Sequence, residues 1–132
     1  MLYLDSNVFI YAALNLDETG ERARNVLRKV QQGQEKAFSS VLTFDEIILA
    51  VKKYRSVEDA IHAGEAFLNF PNMKIAKVDE ELLTLALKLI RKYRLDPRDS
   101  IHAATAIIGK AEAIISTDPH FDKIKETQRK PL

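Results

Sequence analysis

Cysteine and tryptophan are absent from this chain, and glycine and proline occur only four times each. Without cysteine there can be no disulfide framework, no zinc–thiolate centre and no thiol nucleophile, and a thiol-free chain suits a reducing cytoplasm. With so little glycine and proline there is no low-complexity segment and no linker; no internal repeat is visible either. Neither sign of charge dominates: 20 Lys+Arg stand against 19 Asp+Glu, a net charge of +1. The total therefore says nothing about partners, and only local clustering of charge can. No uncharged apolar stretch is long enough to span a bilayer, and the first residues do not show the basic-then-apolar pattern of a secretory signal. A cytoplasmic protein with no membrane partner is expected. What is present is a chain of 132 residues, 46% hydrophobic, enough for one compact domain over residues 1–132 with a genuine core.

Short apolar runs alternate with helical patterns. Leu2-Tyr3-Leu4, Lys36 to Ser40, Met73 to Val78 and Ala113 to Ser116 read as buried strands. Helices are expected over Ser6 to Ala13, Asp17 to Gln32, Thr43 to Tyr54, Ser56 to Asn69, Asp79 to Tyr93 and Asp96 to about Gly109. In the fifth of these, Leu82, Leu83, Ala86, Leu87 and Ile90 form the expected inner face. The alternation predicts an α/β fold: a central, mostly parallel sheet of four or five strands sandwiched between helical layers. The tail from Lys123 to Leu132 is basic and poor in apolar residues, compatible with a last edge strand or with a frayed end.

Four acids then fall at one rim. Asp5 follows the first strand and Asp118 the fourth; Glu46 and Asp99 sit where helices begin. Ligands of open parallel sheets bind beyond the carboxyl ends of the strands, and helices enter from that same edge. Asp122, in Phe121-Asp122-Lys123-Ile124, is within reach as a fifth. Each acid also has an ordinary structural use. Thr43-Phe44-Asp45-Glu46 fits a capping box, and Asp96-Pro97-Arg98-Asp99 imitates one. Asp5 fits an N-cap and Asp118 a turn before Pro119. Together, however, neighbouring carboxylates repel by roughly 1 to 4 kcal/mol per close pair, a cost a fold tolerates when a cation belongs to the site. A hard-oxygen set without cysteine points to Mg²⁺ or Mn²⁺ and to phosphodiester hydrolysis. Ser6, Asn7, Ser116 and Thr117 stand beside the acids and are expected to aim them.

The segments LDSNVFIY, TFDEI, LDPRDSIHAATAI and ISTDPHFD, spanning Leu2 to Asp122 in this order, resemble the PIN domain. The resemblance implies an α/β/α sandwich and a Mg²⁺- or Mn²⁺-dependent ribonuclease whose acids map onto Asp5, Glu46, Asp99 and Asp118, with Asp122 as an occasional extra. Stand-alone members of this length are similar to VapC-type toxins, which implies RNA as substrate, an antitoxin as partner and a homodimer. The polar tail departs from the apolar last strand usual in the family.

Around the acids, Arg98 is the best-placed cation for an RNA phosphate because it adjoins Asp99; the remaining basic residues read as solvated helix faces. His102 lies one turn beyond Asp99, but Ile101, Ala103 and Ala104 around it favour a packed helix over a ligand or proton shuttle. His120 reads as a surface residue within reach of the rim. Phe44, Ile48, Val51, Phe67 and Phe70 are candidates for an exposed groove that takes an antitoxin helix. Competing readings are a housekeeping nuclease of RNA processing, a non-catalytic RNA-binding module, and a phosphoryl-acceptor domain with Asp5 as nucleophile. The last lacks the second aspartate that closely follows the first in haloacid-dehalogenase-like phosphatases.

Overall fold

Asp5, Asp17, Ser40, Ser56 and Asp79 each turn a side-chain oxygen onto a backbone N–H of the helix that follows, and these caps set the frame of the chain. In a computed structural model describing all 132 residues, the elements run β1 (Leu2–Leu4), α1 (Ser6–Leu14), α2 (Glu18–Gln31), β2 (Ala37–Ser40), α3 (Val41–Tyr54), α4 (Val57–Leu68), β3 (Met73–Ala76), α5 (Glu80–Tyr93), α6 (Pro97–Ile108), β4 (Ile114–Ile115) and β5 (Arg129–Lys130), with a 3₁₀ turn over Pro119–Lys123. All strand pairs are parallel, and the five strands form one sheet in the order β3-β2-β1-β4-β5.

Strand side chains alternate between faces, so the sheet feeds two cores. Tyr3, Phe38 and Ile114 pack on one face with Leu82, Ala86, Leu89, Ala103 and Ala106 of α5 and α6. Leu4, Ala37 and Ile115 pack on the other with residues of α1 to α4, among them Val8, Phe9, Ala23, Ile47 and Phe67. The architecture is therefore the α/β/α sandwich expected, with five strands.

Of the two outcomes open for the tail, the structure has the edge strand: Arg129 and Lys130 pair with Ile114 and Ile115. Its polarity suits an edge, and backbone hydrogen bonds to Gln128 and Lys130 replace the apolar burial that a central strand needs. On α5, Leu82, Ala86 and Leu89 face inward while Leu83 and Leu87 are exposed, because the buried stripe follows the i, i+4, i+7 row. Helix α3 starts two residues before Thr43, with Ser40 as its cap.

Gly20 reports on how tightly α2 sits against the end of α1. A Cβ there would lie 1.9 Å from the Asn15 carbonyl oxygen and 2.7 Å from its carbon, backbone atoms that cannot swing aside. Gly20→Ala is expected to lower the unfolding free energy by about 1–3 kcal/mol, read as a lower urea midpoint; an unchanged midpoint would refute this close approach.

Candidate active site

The strand order reverses at β1. The chain leaves it to build β2 and β3 on one side, then returns to lay β4 against its other side. The crevice beyond the carboxyl ends of β1 and β4 is the topological switch point of such a sheet, where ligands bind. Asp5 closes β1 here, and Ser116 and Asp118 follow β4.

Asp5 is 5% exposed and held at both carboxylate oxygens. Its Oδ1 accepts from the Ser6 amide at 2.8 Å, and its Oδ2 accepts from Ser116 Oγ at 2.6 Å, across the β1–β4 gap. Ser116 Oγ in turn accepts from Asn7 Nδ2 at 3.0 Å and from the Asp118 amide at 3.0 Å. Asn7 Nδ2 also reaches Thr117 Oγ1 at 3.1 Å. The four small polar residues thus tie Asp5 to the loop that carries Asp118.

Glu46 belongs to the second turn of α3, not the first, so it does not cap the helix. The Thr43 hydroxyl bonds Ser39 Oγ at 2.8 Å, and Ser40 serves as the cap. Freed from that task, Glu46 points into the crevice. Its Oε2 accepts from Ser6 Oγ at 3.1 Å, and its Oε1 is hydrogen-bonded to His102 Nε2. Asp99 stands in the first turn of α6, after Asp96, which makes no side-chain cap. Asp118 Oδ1 accepts from the His120 amide at 2.9 Å, and His120 Nδ1 lies 3.2 Å from Asp118 and 3.6 Å from Asp99.

The resulting open cleft, about 590 Å³, is lined by Glu46, Asp96, Pro97, Arg98, Asp99, Asp118 and His120. No lysine or arginine lies within ion-pair distance of Asp5, Glu46, Asp99 or Asp118; the nitrogens that do are those of the His102 and His120 rings. Burial raises the Asp5 carboxyl, against the opposing influence of His102, Ser116 and Ser6, and Glu46 adds to the rise. Asp99 is raised first by burial, then by the charges of Asp118 and Asp5. The acids therefore feel one another. Donor atoms of Asp99, Asp118 and His120 all fall within 4.8 Å of one another, while Asp5 and Glu46 are joined through Ser6 and His102.

Asp122 is placed elsewhere. Its two oxygens accept from Arg129 Nε and Nη2 at 2.8 and 2.9 Å, which holds its carboxyl below the usual range. Arg129 also donates to the Ser116 carbonyl at 3.0 Å, so this pair fastens β5 to the loop after β4 rather than serving the cleft. Arg98 is at the cleft mouth, exposed, with only a distant Asp45 contact at 3.9 Å. His102 was underrated by its apolar neighbours. It is 1% exposed and packed as they suggest, yet both ring nitrogens are used, Nδ1 with Tyr3 Oη and Nε2 with Glu46. Its place one turn after Asp99 was the available signal.

Residues 2–127 match the PIN domain family. This chain belongs to that family. The PIN domain described here is 22% identical to ribonuclease VapC2 of Methanocaldococcus jannaschii over 135 residues, 93% of this chain and 88% of that protein. Among solved structures, it superposes with a TM-score of 0.77 on a chain of VapBC2 from Rickettsia felis, bound to a promoter DNA fragment, at 18% identity, covering 99% of this chain and 98% of that one. Against the sarcin–ricin-loop-cleaving toxin VapC20 of Mycobacterium tuberculosis the TM-score is 0.75 at 10% identity, covering 90% and 91%. At such identities the likeness to these structures is one of fold.

Proposed function

We propose that this PIN domain, acting as one unit over residues 1–132, is a divalent-metal-dependent endoribonuclease, the toxin of a VapBC-type toxin–antitoxin pair. The observation that carries the reading is the gathering of Asp5, Glu46, Asp99 and Asp118 at the switch point with no lysine or arginine to neutralise them. An all-carboxylate set, with one exposed imidazole beside it, fits Mg²⁺ or Mn²⁺. Asp5, Asp99 and Asp118 would hold the ion. When bound, it supplies Lewis acidity to the scissile phosphate and acidifies a water. Glu46, with each oxygen already fixed by one donor, keeps lone pairs free to accept from a water and orient it toward the phosphate. Ser6, Asn7, Ser116 and Thr117 keep the carboxylates aimed, and Arg98 contacts a flanking phosphate. The test is RNA cleavage by purified protein with Mg²⁺ or Mn²⁺, against the same reaction in EDTA. Metal-dependent cutting supports the reading; RNA binding without cutting, under either ion, overturns it.

The antitoxin reading has its own support. A wholly apolar groove of about 210 Å³ between α1, α2, α3 and α4 is lined by Phe9, Ala12, Ala13, Leu27, Ile47, Ala63, Ala66, Phe67 and Phe70. Of the residues expected in a groove from the sequence, Phe67 and Phe70 are here; Phe44 lines a second one with Val41, Phe67, Leu68 and Ile75, Ile48 packs against the core and Val51 is core. The apolar face of an antitoxin helix fits the groove. Leu49, Tyr54, Val57 and Ile61, exposed on α3 and α4, offer a second copy an apolar surface, in keeping with a homodimer. Ala66 is exposed at the groove, away from the acids. Ala66→Arg is expected to weaken antitoxin binding at least about 100-fold, the loss of roughly 3 kcal/mol at a desolvated contact, while RNA cleavage by the free protein stays unchanged. Calorimetry with the cognate partner reads the first and an RNA assay the second.

A further inference from the structure

Beneath the cleft, β1 and α6 bury two polar side chains that the reaction as described does not use. Tyr3 is fully buried and His102 is 1% exposed. Burying a phenol and an imidazole is costly unless each finds a partner. They find each other: Tyr3 Oη lies 2.5 Å from His102 Nδ1. The Tyr3 ring is further fixed by edge-on packing against Phe38, with centroids 5.3 Å apart. That leaves Nε2 to face outward. It is hydrogen-bonded to Glu46 Oε1 and lies 3.7 Å from Asp5 Oδ1, so one polar hydrogen sits between two carboxylates.

The direction of the bond from Nε2 to Glu46 does not depend on the charge of the ring. A carboxylate only accepts, so Nε2 carries the proton whether the imidazole is neutral or charged, and the Tyr3 hydroxyl donates to Nδ1 or accepts from it accordingly. Glu46 needs such a hold. It is a flexible side chain on a helix, repelled by the Asp5 charge. Ser6 fixes one of its oxygens and His102 the other, and two donors set the plane of the carboxylate where one leaves it free to swing.

We propose that Tyr3 and His102 are a buried positioning pair for the nuclease reaction, acting through Glu46 and touching neither RNA nor metal. The inference rests on the nuclease reading and assigns that site two residues beyond its acids. Outer partners that orient a working group typically contribute about 10- to 100-fold to activity.

The experiment combines a mutant cycle with a spectroscopic signature. In the metal-free wild-type protein, proton NMR is expected to show a slowly exchanging imidazole N–H resonance downfield of the amides, shifting in both Glu46→Gln and Tyr3→Phe. Tyr3→Phe removes a single oxygen and keeps the ring, and is expected to lower kcat about 10-fold with KM for RNA unchanged. His102→Leu is expected to lower kcat further, His102→Gln to restore part of it, and His102→Leu added to Glu46→Gln to cost nothing more than Glu46→Gln alone. If His102→Leu fails to fold, Tyr3→Phe and the resonance decide. A resonance indifferent to Glu46→Gln, losses that multiply in the double variant, or a Tyr3→Phe protein that cuts as fast as wild type overturns the positioning pair alone. Wild-type protein that leaves RNA intact under both metals overturns the nuclease reading beneath it.

Discussion

Asp99→Asn is expected to cut RNA at least about 10³-fold more slowly than wild type, equivalent to roughly 4 kcal/mol of lost transition-state stabilisation, with the fold intact. Asparagine keeps the size of the side chain, and Asp99 accepts no hydrogen bond that holds α6 together; the helix is begun by Pro97 and steadied by Ser100 Oγ on the Pro97 carbonyl. What is lost is one charge from the set that would hold the ion. Asp5→Asn is expected to be as inactive, for the same reason, and asparagine still caps α1 by accepting from the Ser6 amide. Single-turnover cleavage with saturating Mn²⁺ measures the loss, and circular dichroism checks the fold. An Asp99→Asn protein within 10-fold of wild type would remove the acid from the reaction and leave it a helix-dipole residue.

The second large effect is on stability, and its sign follows from the carboxyl shifts. Asp99 and Asp5 are raised from 3.8 in the folded protein, so the native state binds protons that the unfolded chain has released. Stability from these groups is therefore greatest below about pH 4 and falls as pH rises through 3.8 and past their folded values. Asp122 and Glu126, held low by Arg129 and Tyr93, contribute in the opposite direction, so total stability mixes the two. The difference between wild type and Asp99→Asn separates them: at neutral pH without metal, Asp99→Asn is expected to melt higher than wild type, and the gap to close as pH falls toward 4. Divalent ion reverses the order. At a concentration of 100 Kd, binding adds about 2.7 kcal/mol to wild type, roughly 8–10 °C in Tm for a chain of this size, and little to Asp99→Asn. Thermal melts in EDTA and in Mn²⁺ across pH measure all of this. Equal melts of the two proteins in EDTA would show that repulsion among the carboxylates costs no stability, and a wild-type Tm indifferent to Mn²⁺ that they do not bind the ion.

Both effects trace to acids whose chain positions are legible in the sequence, though their reasons for being there are not. Asp5 after an apolar triplet and Asp118 before Pro119 announce strand exits in any α/β chain, and each also caps or turns the backbone as a lone acid would. Glu46 shows the limit. Its sequence context offers a capping box, and the competing cap at Ser40, three residues earlier than Thr43, is what turns it into the crevice. Asp122 shows the reverse: near the others along the chain, it is claimed by Arg129, which arrives only when the polar tail adds itself to the sheet. An edge strand of two residues, held by backbone bonds and one ion pair, carries almost no hydrophobic pattern from which to infer it.

By itself, then, the sequence determined the element types up to the last edge strand, the alternation that makes the sheet parallel, the absence of thiol chemistry and the set of acids available, since these depend on neighbours within a few residues. Only the tertiary structure decided which of those acids meet. The order β3-β2-β1-β4-β5 sets Asp5 beside Ser116, α6 beneath β1 sets His102 between Glu46 and Tyr3, and the returning tail takes Asp122 away. Apart from the Asp122–Arg129 pair, seven positions apart, these are contacts between residues 56 to 111 positions apart. They form because packing two cores against one sheet leaves a single arrangement of its strands, and no local pattern encodes that arrangement.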